Sequence, residues 1–416
     1  MRTEGTLWGH PNFLRLWAGQ SVSVLGDQVS LLALPLTAVL TLDAAAVDMG
    51  ILTASAWAPH LVLSLFAGAW IDRRSDRRRI MIAADLGRAL LIASVPLAAL
   101  LDLLRIEQLF AVAFLVGCLT VLFDQSYTSL FITVVPREAI VEANSKLSTT
   151  RAGAAVAGPG AAGLLVRLLG APFALALDAG TFLVSALFLR KIDAPEPKVE
   201  PDGGVRLWRR LGEGFRWIGG NALYRATVGG SATINFFNFM LSAILVLYAS
   251  RELGLGAGQI GIVFSAGAVG ALIGAPAAPW VARRLGIGRA VALGAVLFPA
   301  PLLLIPAASG SERLVFATLL AAELLASFGV MIYDVNQNSI TAALVPYRLR
   351  GRVSGTSRFL NYGLRPLGAL AGGALGETIG LRPTLWIAAG GALLGLVWYV
   401  LSPVVSLREV PLVEEA

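Results

Sequence analysis

The chain has 416 residues, 56% of them hydrophobic and 14% charged, against roughly 45–50% apolar and a quarter charged in soluble domains. That composition excludes an ordinary soluble enzyme and implies a polytopic α-helical membrane protein. The net charge of +7 is accounted for by topology and contact with anionic lipid, and requires no nucleic-acid partner.

Along the chain, MRTEGTLWGHPNFLRLW is mixed and polar, and the apolar run after it is too long for a cleavable signal. Insertion is therefore expected to begin with a retained helix. Twelve spans follow, each long enough to cross a hydrocarbon core of about 30 Å. They cover 13–40, 49–71, 79–103, 108–135, 145–168, 171–190, 224–250, 259–284, 288–308, 312–345, 353–378 and 382–404. The loops after spans two, four, six, eight and ten hold most of the Lys and Arg, as in Arg73 to Arg79 and Arg348 to Arg352. The loops after spans three, five, seven, nine and eleven carry one arginine each: Arg105, Arg167, Arg251, Arg313 and Arg382. The positive-inside rule then puts the basic loops and both termini in the cytoplasm.

One long hydrophilic connection, 193–223, divides the chain into an N-terminal six-helix bundle (1–192) and a C-terminal one (224–416). Its second part, VRLWRRLGEGFRWIGG, sets Leu207, Leu211, Phe215 and Ile218 at helical spacing beside Arg209, Arg210 and Arg216. That pattern predicts an interfacial amphipathic helix on the inner leaflet.

The halves repeat. With an offset of 210, FDQSYTSLFITVVP lines up with YDVNQNSITAALVP, so that Asp124 falls on Asp334 and Gly163 on Gly373. An offset of 211 sets Gly50 on Gly261, Arg73 on Arg284 and Asp27 on Asn238. Two parallel repeats related by an axis along the membrane normal are a recurrent transporter plan.

Between spans two and three, GAWIDRRSDRR (68–78) places Gly68, then Asp72 and Arg73, then Arg77 and Arg78. This joint resembles the signature loop of the major facilitator superfamily, with Ser75 where the family has glycine. The resemblance implies an all-α fold of twelve transmembrane helices in two pseudo-symmetric bundles. It also implies that Asp72 and Arg77 help latch the two halves on the cytoplasmic side, with Asp124 a partner for Arg77. LRLWAGQSVSVLGDQVSLLALPL, VPREAIVEANSKLSTTRAGAAVAGPGAAGLLV and GEGFRWIGGNALYRA resemble the bacterial branch of macrolide-efflux and enterobactin-exporting permeases. That branch consists largely of proton-driven exporters of the inner membrane.

Acids inside spans are costly and mark functional sites by default. Asp27 shares a helix face with Gln20, Ser23 and Ser30, and its repeat counterpart Asn238 lies in the stripe Ser231, Asn235, Asn238, Ser242. Both stripes are expected to face a central cavity, since lipid contact would strand their polar groups. Span ten carries Glu323, Ser327, Asp334, Asn338 and Thr341 on one side. Asp27 and Glu323 are the first candidates for carrying a proton; Asp334 and Asp124 are structural or gating alternatives. Arg151, Arg358 and Arg365 are read as neutralising these acids, with anion binding as the other possibility. AGAAVAGPGAAG, with Gly153, Gly158, Pro159 and Gly163, reads as a close-packing segment and resembles the fifth-span motif of antiporters in the superfamily.

Cys118, His10 and His60 supply no metal cluster, and no cofactor, ATPase motif or covalent nucleophile is indicated. The expected function is proton-coupled export of a moderately hydrophobic small molecule such as an antibiotic or siderophore, by a protein acting as a monomer. An uptake permease or lysolipid transporter of the same fold, or a non-transporting sensor or scaffold, are the alternatives.

Overall fold

The structure is a computed structural model and describes residues 7–71, 76–193, 207–346 and 349–410. It is all helical. In the first part run α1 (Pro11–Thr41), α2 (Ala46–Ile71), α3 (Arg77–Leu100), α4 (Ile106–Val134), α5 (Ile140–Leu169) and α6 (Ala171–Arg190). After the connection come α7 (Leu207–Gly220), α8 (Ala222–Arg251), α9 (Ala257–Leu285), α10 (Ile287–Leu297), α11 (Leu304–Ala307), α12 (Glu312–Leu344), α13 (Arg350–Ile379), α14 (Leu381–Ala392) and α15 (Gly395–Val400).

Eleven segments among the described residues are long and apolar enough to cross a membrane. The expected span over 353–378 is the exception. α13 is 30 residues long, but Ser357, Arg358, Asn361, Tyr362 and Arg365 on its cavity-lining side lower its apolarity. Two other expected spans are broken. The ninth runs through α10, a 3-10 turn at Ala300–Leu303 and α11, because Pro299 and Pro301 cannot donate to a continuous helical ladder. The twelfth divides into α14 and α15 around Leu393 and Leu394.

Two compact units form, Met1–Ala44 with Ser55–Gly204, and Ala45–Ala54 with Val205–Ala416. In the first, α1 packs on α6 and α5, and α3 on α6 and α4, around Phe13, Leu16, Met81, Phe123 and Leu189. In the second, α12 packs on α9 and α10, and α8 on α13 and α14, around Ile234, Val291, Tyr333, Ile340 and Tyr399. The hydroxyls of buried Tyr333 and Tyr399 share a hydrogen bond of 2.6 Å. The opening turns of α2 belong to the second unit. There the Ala46 N–H donates to the Glu377 carboxylate at 3.2 Å, and a Cβ on Gly50 would stand 2.8 Å from the Ala369 carbonyl.

The predicted amphipathic helix exists as α7, and it docks on protein. Arg352 of α13 donates to Glu213 at 2.5 Å. A Cβ on Gly214 would lie 2.9 Å from the Arg352 carbonyl, so only glycine lets the two backbones approach so closely. Phe215 meets Phe359 edge-on at 6.4 Å, and Ile218 is buried in the core of the unit.

Candidate functional site

The second unit carries an open cavity of about 820 Å³ lined chiefly by α8, α12 and α13. From α8, Ser231, Asn235, Asn238 and Ser242 line it, as their spacing on one helix face requires. α12 contributes Glu323, Ser327, Asp334, Gln337, Asn338 and Thr341, and α13 contributes Ser357, Arg358, Asn361, Tyr362 and Arg365. Phe239, Phe264 and Phe298 supply apolar wall. The stripes of Asn235 and Asn238 and of Gln20 and Asp27 were expected to face a cavity; Asn235 and Asn238 line this one beside Glu323 and Asp334, and Gln20 and Asp27 are not among its lining residues.

Their environments differ. Asn235 is tied down, donating to the Ser231 carbonyl at 2.9 Å, while Ser231 itself donates to Asn361 at 2.7 Å. The Asn238 amide has no such tie among the described residues, which leaves its donor and acceptor for a ligand. Asp334 is attracted by Arg365, and that guanidinium also lies 4.5 Å from the Tyr362 ring and 5.0 Å from Phe239. Arg365 thus stands among Asp334, Tyr362 and Phe239. Glu323 lies against α9, where a Cβ on Gly267 would stand 3.0 Å from Ser327 Oγ and 3.3 Å from Glu323 Oε2. Below it is a small apolar recess formed with Leu245, Val263, Ile305 and Leu319. Among the described residues Glu323 makes no hydrogen bond or ion pair. Glu323 is half-buried on the cavity wall, and an acid inside a crossing helix marks a functional site by default.

The first unit holds a second polar group. Asp85 and Arg88 of α3 form an ion pair, 0% and 3% exposed, with the guanidinium 4.5 Å from the Phe123 ring and 4.3 Å from Phe182. Asp178 of α6 accepts from Ser30 and, at 3.1 Å, from Thr181. The expected polar face of α1 is thus divided. Gln20 and Ser23 are buried at 7% and 3%, Ser30 serves Asp178, and Asp27 remains exposed. Asp27 feels the charges of Asp178, Arg88, Asp124 and Asp85.

Asp72 and Arg73 of the charged joint lie outside the described residues. Gly68 lies in the last turns of α2, and Arg77 opens α3. Arg78 donates to the Ile192 carbonyl just beyond α6, which ties the start of α3 to the end of the unit. Arg88 and Arg151 are among the charges acting on Asp124. In α5, Gly158 packs closely on α1, a Cβ there standing 2.5 Å from Gln28 Cβ, and Pro159 and Gly163 are buried. Gly153 is exposed, with nothing within 4 Å of the position a Cβ would take.

The family model described as Major Facilitator Superfamily matches residues 16–365 and, in a second placement, 227–415. The chain belongs to the major facilitator superfamily. It is a multi-pass secondary transporter of small molecules and not an enzyme. Over 414 residues this superfamily member is 28% identical to the multidrug efflux pump Tap of Mycolicibacterium fortuitum, covering 93% of this chain and 94% of the pump. It is also 28% identical over 194 residues to YfiS, an uncharacterised transporter of the same superfamily from Bacillus subtilis (strain 168), covering 44% and 45% of the two chains. The fold is similar to that of a bacterial homologue of the iron transporter ferroportin in its inward-facing state, with a TM-score of 0.74 at 20% identity over 94% of this chain and 98% of the other. The nucleoside transporter NupG gives a TM-score of 0.70 at 13% identity over 94% and 98%.

Three buried groups of this transporter, Asp85, Arg88 and Asp178, escaped the reading of the sequence. Their signal was present, since each is a charged residue inside an apolar run, and Asp85 and Arg88 stand three apart on one helix face.

Proposed function

We propose that this transporter exports a moderately hydrophobic small molecule, an antibiotic, siderophore or related metabolite, by proton-coupled alternating access. The observation that carries this reading is Glu323: a carboxylate within a membrane-crossing helix, on a cavity of about 820 Å³, with no compensating partner among the described residues. In one access state it holds a proton, and in the other it releases that proton or exchanges it for a cationic group of the cargo. One proton moving through 100 mV supplies about 2.3 kcal/mol, equivalent to a concentration ratio of roughly 50. Asn238, the Asn235–Asn361 pair and the aromatic wall offer a cargo hydrogen bonds and stacking surface. Asp27, with its acidic neighbours, is the second candidate for proton carriage. Similarity to the Tap efflux pump along nearly the whole chain supports export.

In this reading the halves 1–192 and 224–416 move to give alternating access to the two sides of the membrane, and both termini face the cytoplasm. Asp72 and Arg77 clasp the inner rim. The test is flux in proteoliposomes with an imposed pH gradient, screening antibiotics and siderophores. Substrate movement against its gradient, coupled to proton movement in the opposite direction, is the result expected. Uptake driven in the same direction as protons would identify an uptake permease instead.

A further inference from the structure

A second recess, of about 650 Å³, opens at the turn between α9 and α10. Arg283, Arg284 and Arg289 from that turn line it together with Arg408 from the far end of the chain. Val404 is fully buried beside Ile287 and Val291. The Ile287 N–H donates to the Arg408 carbonyl at 3.2 Å, and the Gly288 N–H to the Leu407 carbonyl at 3.0 Å. Gly288 is required at this seam, because a Cβ there would run into the Val404 carbonyl.

Four exposed arginines thereby line one recess, with Glu409 as the carboxylate among its described lining residues. None of the four side chains makes a hydrogen bond or ion pair among the described residues. Converging like charges is unfavourable unless an anion is taken up between them. The same recess presents apolar surface: Leu285 is 44% exposed and Val410 39%. Arg284 lies 5.7 Å from the ring of Trp280, itself largely exposed, and tryptophan beside arginine at the end of a crossing helix marks the headgroup level of a bilayer.

We propose that this recess binds the phosphate group of an anionic phospholipid, with Arg289 and Arg408 on the phosphate and the lipid's apolar portion against Leu285. Guanidinium groups bind phosphate oxygens in pairs, and basic recesses between crossing helices suit anionic headgroups. Free inorganic phosphate shares the charge chemistry, but it leaves most of a recess of this size and its apolar lip unused.

Native mass spectrometry on the full chain in detergent tests this by titration with phosphatidylglycerol, phosphatidylcholine and inorganic phosphate. Phosphatidylglycerol is expected to bind preferentially, and R289Q/R408Q to weaken it about thirtyfold, at roughly fivefold per arginine. R105Q/R313Q, which alters arginines of other loops, is expected to leave it unchanged. The Arg408 side chain makes none of the contacts that seat its segment, so an unchanged thermal midpoint in lipid-free detergent identifies the loss as binding; R283Q/R289Q provides a second variant. Equal phosphatidylglycerol binding by the variants and the unaltered chain would overturn the proposal. So would inorganic phosphate binding as tightly as the lipid, which would assign the recess to the free ion.

Discussion

Glu323 and Asp334 sit on one helix, eleven residues apart, in different company. Asp334 has Arg365 to attract it, whereas Glu323, on the same cavity, makes no hydrogen bond or ion pair among the described residues and borders an apolar recess. Replacing Glu323 with Gln keeps shape and hydrogen-bonding capacity while removing the proton that can be exchanged. E323Q is therefore expected to insert normally yet lose gradient-driven accumulation, the ratio at 100 mV falling from as much as roughly 50 toward 1. The Asp85–Arg88 pair calls for a different measurement. Removing one partner strands a buried charge at a cost of about 3–5 kcal/mol, so D85N or R88Q alone is expected to lower thermal stability sharply. The double variant D85N/R88Q should recover much of the loss in a double-mutant cycle; additive losses would mean that the two side chains are not coupled. Residue by residue, the sequence disclosed Asn235, Asn238, Glu323 and Asp334, because polar groups recurring on one helix face have to avoid lipid. It did not disclose which of them were tied down. Whether Asn235 donates to Ser231 and Asn361, or Arg365 rests on Tyr362, depends on neighbours more than a hundred residues away or on rotamers that no periodicity encodes.

At the scale of elements, apolar runs located the crossing helices because each needs about 20 residues to traverse the hydrocarbon core. α13 was legible for the same reason, although its own polarity, imposed by the cavity, sets it apart from the other eleven. The breaks at Pro299–Pro301 and at Leu393–Leu394 depend on local geometry inside runs that remain apolar. α7 was recognisable from its amphipathic spacing, but its docking on α13 rests on Gly214, a residue with no side chain to signal a contact. G214L is expected to force α7 away from Arg352 and Thr356, at about 1–3 kcal/mol by analogy with other overpacked contacts. Faster limited proteolysis in the 193–223 connection would register the change, and unchanged cleavage would show that the close approach is dispensable. Disrupting only the Glu213–Arg352 pair with E213Q should have a much smaller effect, about 0–1 kcal/mol, since both side chains are partly exposed.

For the whole molecule, the repeat at offsets of 210 and 211 and the charged joint at 68–78 carried the resemblance to the major facilitator superfamily, which the family match along the chain establishes. The repeat also shows how the halves have diverged: Asp27 corresponds to Asn238, so the first unit keeps an acid where the second keeps an amide. The amide at one repeat position and Glu323, without a hydrogen bond or ion pair among the described residues, elsewhere in the second unit together make proton coupling asymmetric between the halves in the proposed mechanism. D27N tests that asymmetry, with a smaller loss of gradient-driven flux expected than for E323Q. Proton-driven flux through the Glu323 cavity is the central claim, and its most direct measurement is transport in proteoliposomes under an imposed pH gradient, comparing the unaltered chain with E323Q. The gradient should drive substrate in the unaltered protein and fail to drive it in E323Q at equal incorporation. Undiminished gradient-driven transport by E323Q would contradict that claim.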